Sequence, residues 1–310
     1  LHSRVAATYS PALARRIAPS AVLRAVACHH RGPRLRSFVS VRRLSATGPS
    51  GARRQFLSFF CLLLYAGFIN AQEYEKRVYI NQNDTLPYRV LLPENYTPKK
   101  SYPLLVFLHG AGERGTDNEK QLIHGSYLYT SEIFRKNYPA IVVFPQCPKN
   151  SYWASVQKNK TKKLEKRFNF EKNLKAFGTQ KLLEFFLYDL ETSFNIDPSK
   201  RYLGGLSMGG MGTFELVTRM PNYFAAAFAI CGGGNPAWSK TLSKTPFWIF
   251  HGDKDNVVSY HFSKRMFRKM KRFNKATKFT SYEGVNHESW NNAFKDPNLF
   301  PWIFSFKRSR

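Results

Sequence analysis

Methionine is missing until Met208, and the first 54 residues hold eleven arginines but no lysine, aspartate or glutamate. Acid is scarce throughout: 20 Asp+Glu face 48 Lys+Arg, for a formal net charge of +28. Without the eleven leading arginines the rest of the chain carries +17, so much of the basic character belongs to the leading segment. Cysteine is equally sparse. Of four, Cys28 and Cys61 fall near the start and only Cys147 and Cys231 lie further on, which excludes a disulfide-dense scaffold. No Cys/His spacing suits a zinc site and no Walker-type loop is present, so neither a metal nor a nucleotide cofactor is expected. Internal repeats are lacking too. With 43% hydrophobic and 15% aromatic residues among 310, the chain is too apolar for a disordered polymer.

Long apolar runs are likewise missing, apart from one that starts at Phe56 and closes at Ile69. Arg53 and Arg54 precede it, Asn70-Ala71 end it, and polar Gln72-Glu73 follow. A basic n-region, a short apolar core and a small residue at the cut position match an export signal, and the run is short for a membrane span. The expected organisation is an Arg-rich leader over 1–52, non-native or disordered, a signal peptide over 53–71, and one domain over 72–310. Cleavage after Ala71 implies a secreted or periplasmic protein without a stable membrane anchor.

From residue 72 onward, short continuous apolar runs read as strands buried on both faces: 104–108, 140–144, 202–204, 225–230 and 247–250. Residues 75–80 and 88–92 read as an opening hairpin, and 278–282 as the last strand. Between them lie helical patterns, the clearest over 179–195 with Leu183, Phe186, Leu190 and Phe194 three or four apart. Alternating strands and helices predict an α/β fold with a mostly parallel twisted sheet, antiparallel N-terminal strands, and helices on both faces. The lysine-rich stretch 156–176 reads as a solvated basic insertion, and the helix carrying Phe262, Met266, Phe267 and Met270 is expected to turn those residues to the sheet.

Chemistry concentrates at Gly205-Leu206-Ser207-Met208-Gly209, which follows an apolar strand and precedes a helical segment. This is the setting of a nucleophile elbow, where a sharp turn exposes a serine and the residues two before and two after it must be nearly side-chain-free. Serine needs a base oriented by a carboxylate, in the chain order Ser, Asp/Glu, His. His251-Gly252-Asp253-Lys254-Asp255 follows a buried strand and supplies Asp255, with Asp253 as the alternative. His287, just past the last strand, fills the base position. His261, inside a basic helix, is its competitor, and His251 reads as a hydrogen-bonded core histidine. The oxyanion hole needs two backbone N–H groups. Met208 supplies one, and the loop His109-Gly110-Ala111-Gly112-Glu113-Arg114-Gly115 the other, through Ala111 or Gly112.

These pieces, with Leu92-Pro93-Glu94-Asn95-Tyr96, Pro145-Gln146-Cys147-Pro148, Ile230-Cys231-Gly232-Gly233-Gly234 and Gly284-Val285-Asn286-His287, resemble the α/β-hydrolase superfamily. The likeness is to its serine esterase, phospholipase/carboxylesterase and predicted-peptidase group, related to dienelactone hydrolases, and covers about Tyr74 to the C-terminus. It implies the α/β-hydrolase fold and a Ser-His-Asp carboxylesterase, and it favours Asp255 over Asp253. Dienelactone hydrolases proper use cysteine, so Ser207 points to the serine esterases. In the implied strand order two strands separate those leading into Cys147 and Cys231, roughly 14 Å, so both thiols are expected free. The implied partner is an ester substrate, with acetylated or feruloylated polysaccharides typical of exported members. Gly112, Glu113, Gln146, Trp153 and Trp290 are expected to line the mouth. A peptidase of the prolyl-oligopeptidase type and a silent carbohydrate- or envelope-binding module are the competing readings. Nucleic-acid binding has no recognisable module behind it.

Overall fold

A computed structural model describes residues 74–174 and 178–308. The leader, the signal peptide and Lys175 of the basic stretch lie outside the described residues.

Ten strands occur among them: β1 (Glu75–Asn81), β2 (Asp84–Leu91), β3 (Tyr102–Leu108), β4 (Ile141–Pro145), β5 (Val156–Lys158), β6 (Phe168–Phe170), β7 (Ile196–Leu206), β8 (Ala226–Ile230), β9 (Phe247–Gly252) and β10 (Lys278–Tyr282). The helices are α1 (Ser126–Thr130), α2 (Glu132–Asn137), α3 (Thr179–Ser193), α4 (Met208–Arg219), α5 (Ser239–Leu242), α6 (Tyr260–Met270), α7 (Trp290–Ala293) and α8 (Leu299–Phe304). Eight strands form one sheet in the order β1-β2-β4-β3-β7-β8-β9-β10. β1 and β2 pair antiparallel, as do β2 and β4, and every other neighbouring pair is parallel. This is the α/β-hydrolase architecture.

The all-apolar strands serve two faces at once. Along β3, Leu104, Val106 and Leu108 enter one core, with Phe186 and Leu190 of α3 and Met266 of α6. Leu105 and Phe107 point the other way, into a second core with Leu299 and Ile303 of α8. The period of two inside an unbroken apolar run is what a strand covered on both sides requires.

Both cysteines are free and buried, at the ends of β4 and β8 with β3 and β7 between them. On α6, Phe262, Met266 and Met270 are buried and Phe267 half-buried, as the sequence pattern predicts. The basic stretch is corrected. Phe168 and Phe170 of the β5–β6 hairpin are buried, with ring centroids 6.0 and 5.6 Å from that of Phe262. Its described lysines are exposed, as expected of a solvated stretch, but two phenylalanines on alternate positions fasten the hairpin to α6.

The chain places β4 on one side of β3 and then crosses to place β7 on the other. Loops leaving β3 and β7 therefore part in opposite directions and leave a crevice at the carboxyl edge of the sheet.

Candidate active site

Ser207 sits between β7 and α4 with φ +52° and ψ −114°, a backbone region that a β-carbon disfavours. The turn exists because its flanks carry no side chain. A Cβ on Gly205 would lie 2.5 Å from the Gly209 carbonyl oxygen, and one on Gly209 would lie 1.9 Å from that of Leu108. The Ser207 N–H donates to the Ile230 carbonyl at 2.8 Å, tying the turn to β8. Met208 opens α4, where the first N–H groups have no intrahelical acceptor and the helix end is electropositive.

The Ser207 hydroxyl lies 2.9 Å from Nε2 of His287, whose Nδ1 lies 2.7 Å from Oδ2 of Asp255. Because a carboxylate only accepts, Nδ1 is the donor there and Nε2 is left to accept the serine proton. Asp255 is 4% exposed. Its Oδ1 accepts from the N–H groups of Val257 and Val258, both at 2.8 Å. Burial opposes its ionisation, but hydrogen bonds from His251 and His287 outweigh burial and hold the carboxyl well below the usual range.

Asn286 joins the His287 loop to the Asp255 loop: its Oδ1 accepts from the His287 N–H within its own loop at 2.8 Å and from the Asn256 N–H of the other at 3.0 Å. Asp253 is exposed and accepts from the Gly284 N–H, and His261 is exposed on α6; neither reaches Ser207. His251 is fully buried, as expected of a core histidine, but it also contacts Asp255. Its Nε2 lies 3.0 Å from Asp255 Oδ2 and 2.9 Å from the Val258 carbonyl, so that nitrogen carries a proton, while Nδ1 contacts Ser263.

The loop after β3 lies beside Ser207. A Cβ on Gly110 would lie 3.7 Å from that of Ser207 and 2.9 Å from Glu113 Oε2. Ala111 opens a short 3-10 turn through Glu113, and Gly112 is exposed beside it. His109 clamps this loop: Nδ1 contacts the Gly110 carbonyl at 2.6 Å and Nε2 accepts from the Cys147 N–H at 2.9 Å. Burial lowers the His109 pKa to about 4. Glu113 is 8% exposed, with Oε2 unpartnered and Oε1 3.6 Å from Nε2 of His124. Trp290 packs between His124 and His287, with ring centroids 5.2 and 5.5 Å away.

Two expected mouth residues are corrected. Gln146 is fully buried: it accepts from the Asn118 N–H and donates to the Glu113 carbonyl and to Asp117. It braces the β3 loop from beneath. Trp153 is 1% exposed and packs its ring on His109 and its β-carbon against α4 at Gly212. Both are supports of the loops rather than surfaces facing a ligand.

One cluster among the described residues has metal-ligand chemistry: Cys231, Asp255 and His287, with ligand atoms within 4.8 Å of one another. It fits a metal poorly. Both His287 nitrogens and Asp255 Oδ2 are already engaged, and burial raises the Cys231 thiol well above its ordinary pKa, against the thiolate a metal needs. No described helix is long and apolar enough to cross a membrane.

A family model described as phospholipase/carboxylesterase matches residues 96–300. Among curated proteins, a bifunctional acetylxylan esterase/xylanase of Neocallimastix patriciarum is 29% identical over 172 residues, covering 55% of this chain and 22% of that protein. Lysophospholipase-like protein 1 of Mus musculus is 25% identical over 211 residues, covering 65% of this chain and 85% of that protein. Among solved structures, a thermostable esterase superposes with a TM-score of 0.67 at 32% identity, covering 76% of this chain and 64% of its own. The chain thus spans less than a quarter of the first of these curated proteins and just under two thirds of the thermostable esterase.

Proposed function

The chain belongs to the phospholipase/carboxylesterase family of α/β-hydrolases, and on that premise we propose that it is a serine carboxylesterase in which Ser207, His287 and Asp255 form the catalytic triad. The observation that carries this reading is the unbroken line of two hydrogen bonds from Ser207 through His287 to Asp255, at 2.9 and 2.7 Å.

The reaction follows from which atoms are donors. Ser207 Oγ attacks the ester carbonyl while His287 Nε2 takes its proton, and Asp255 stabilises the imidazolium through Nδ1. The carbonyl oxygen becomes an oxyanion beside the Met208 N–H and the loop at Ala111, where donors fixed in advance lower the barrier by a few kcal/mol each. Collapse breaks the bond to the alcohol, which leaves with the proton from His287. Water then attacks the acyl-serine by the same route, releases the carboxylic acid and restores the hydroxyl. No step requires a metal or cofactor. The substrates we assign are acylated carbohydrates, acetyl esters first, supported by the acetylxylan esterase/xylanase relative. The basic, apolar, small-residue order of residues 53–71 supports export.

The test is hydrolysis of p-nitrophenyl acetate by the wild-type protein and by Ser207→Ala, His287→Ala and the double variant. Each single change is expected to lower kcat by roughly 10⁴-fold or more, and the double variant to be no worse than either. Full activity in Ser207→Ala, or additive losses, contradicts the triad.

A further inference from the structure

Glu113, in the loop after β3, is a buried acid left without a counter-ion. Its side chain is 10% exposed and its Oε2 makes no hydrogen bond. Oε1 stops 3.6 Å from Nε2 of His124, beyond hydrogen-bond range. The chain carries 48 lysines and arginines, yet among the described residues none brings a nitrogen within 4 Å of this carboxylate. The other two buried acids among them are fully engaged. Glu215 accepts from Arg219 and from the N–H and hydroxyl of Ser155, and both oxygens of Asp255 have donors.

The unpartnered oxygen borders Ser207. A Cβ on Gly110 would lie 2.9 Å from Glu113 Oε2 and 3.7 Å from the Cβ of Ser207, so both come within 4 Å of one point. From Glu113 the contacts lead round to the serine again. His124 adjoins Glu113, Trp290 stacks 5.2 Å from His124 and 5.5 Å from His287 by ring centroids, and His287 meets the Ser207 hydroxyl.

We propose that Glu113 is a specificity-determining residue that pairs with a protonated amine carried by the substrate a few bonds from its ester, so that the protein prefers a cationic ester over a neutral one of the same shape. The inference rests on the triad assignment, which fixes where the ester carbonyl lies. A buried carboxylate without a counter-ion is costly, and a ligand that brings one removes that cost. The charge also acts on the reaction. A carboxylate near Ser207 opposes the oxyanion that forms there, so a neutral ester is attacked against its field. A substrate ammonium cancels that field and donates to Oε2 in a charge-assisted hydrogen bond. A hydroxyl would occupy the lone pair but leave the charge in place. The indole of Trp290, in contact with His124, adds an electron-rich face that suits a cation as well.

Two pairs of esters test this, each a cation and its neutral isostere. In the acyl half, alanine is set against isobutyric acid, both as naphthyl esters; in the alcohol half, dimethylaminoethyl is set against isopentyl, both as acetates. Rates are read at a pH where the amines are protonated. In the wild-type protein kcat/KM is expected to favour the cation about tenfold in one pair, and that pair identifies the half of the substrate that carries the amine. Glu113→Gln keeps the shape without the charge and is expected to bring the ratio within that pair to about one, whereas Glu113→Asp, which keeps the charge, retains a preference. A ratio cancels any general loss of activity or of folded protein. A wild-type ratio of one or less in both pairs overturns the inference whether or not a variant folds, and so does a preference that survives undiminished in Glu113→Gln. Hydrolysis of p-nitrophenyl acetate in the same samples leaves the esterase reading intact in either case. A wild-type protein inert toward that ester and all four others overturns the esterase reading and this inference with it.

Discussion

Ser207 and His109 are both held in states that cost free energy, and each is paid for by its neighbours. The backbone of Ser207 is in a region worth about 1–3 kcal/mol of strain, offset by its N–H bond to β8 and by the close packing of Gly205 and Gly209. His109 is 1% exposed, and its two ring nitrogens join the loop after β3 to Cys147, just past β4, only as the neutral imidazole, one donating and the other accepting. Burial lowers its pKa from the ordinary 6.5 to about 4. Since the folded form binds the proton later than the unfolded chain does, protonation favours unfolding. The stability this group contributes is complete above the unfolded value and is lost as pH falls from about 6.5 to about 4, on the order of 3 kcal/mol in all. Denaturant titrations across that range are expected to show a pH-dependent loss about 3 kcal/mol smaller in His109→Gln than in the wild-type protein. Parallel curves for the two proteins would remove the assignment.

At the scale of elements, the elbow is where β7, α4 and β3 approach too closely for any side chain. Gly209→Ala is expected to cost about 3 kcal/mol or more, because the new Cβ meets the Leu108 backbone, whereas Gly112→Ala, with nothing within 4 Å, is expected to change stability by no more than about 0.5 kcal/mol. Thermal melts of the two variants check this, and equal Tm values would contradict it. The elbow was legible in the sequence because glycines at both flanks leave a local trace. The inner strands β3, β4, β7, β8 and β9 were legible for a similar reason: burial on both faces writes a continuous apolar run. The β5–β6 hairpin was not. Phe168-Asn169-Phe170 alternates as a strand should, but three residues among so many lysines carry too short a pattern, and the surface that buries them is α6, nearly a hundred residues later. Gln146 and Trp153 were misplaced for the same cause. Proline and polar neighbours mark a loop, while the burial of a loop residue depends on which other loops cross it.

For the whole molecule, the sheet order brings three side chains from separate loops to one crevice: Ser207 after β7, Asp255 after β9 and His287 after β10. Motifs and chain order singled out all three residues; that His251 holds Asp255 and Asn286 ties the His287 loop to Asn256 became visible only in three dimensions. The proposed mechanism depends throughout on His287 making Ser207 nucleophilic. The most direct measurement is mass-spectrometric mapping of a fluorophosphonate label on the wild-type protein and on His287→Ala. The account predicts one adduct, on the peptide containing Ser207, formed rapidly in the wild-type protein and lost or greatly slowed in the variant. An adduct on another residue, or labelling of Ser207 at the same rate without His287, would contradict it.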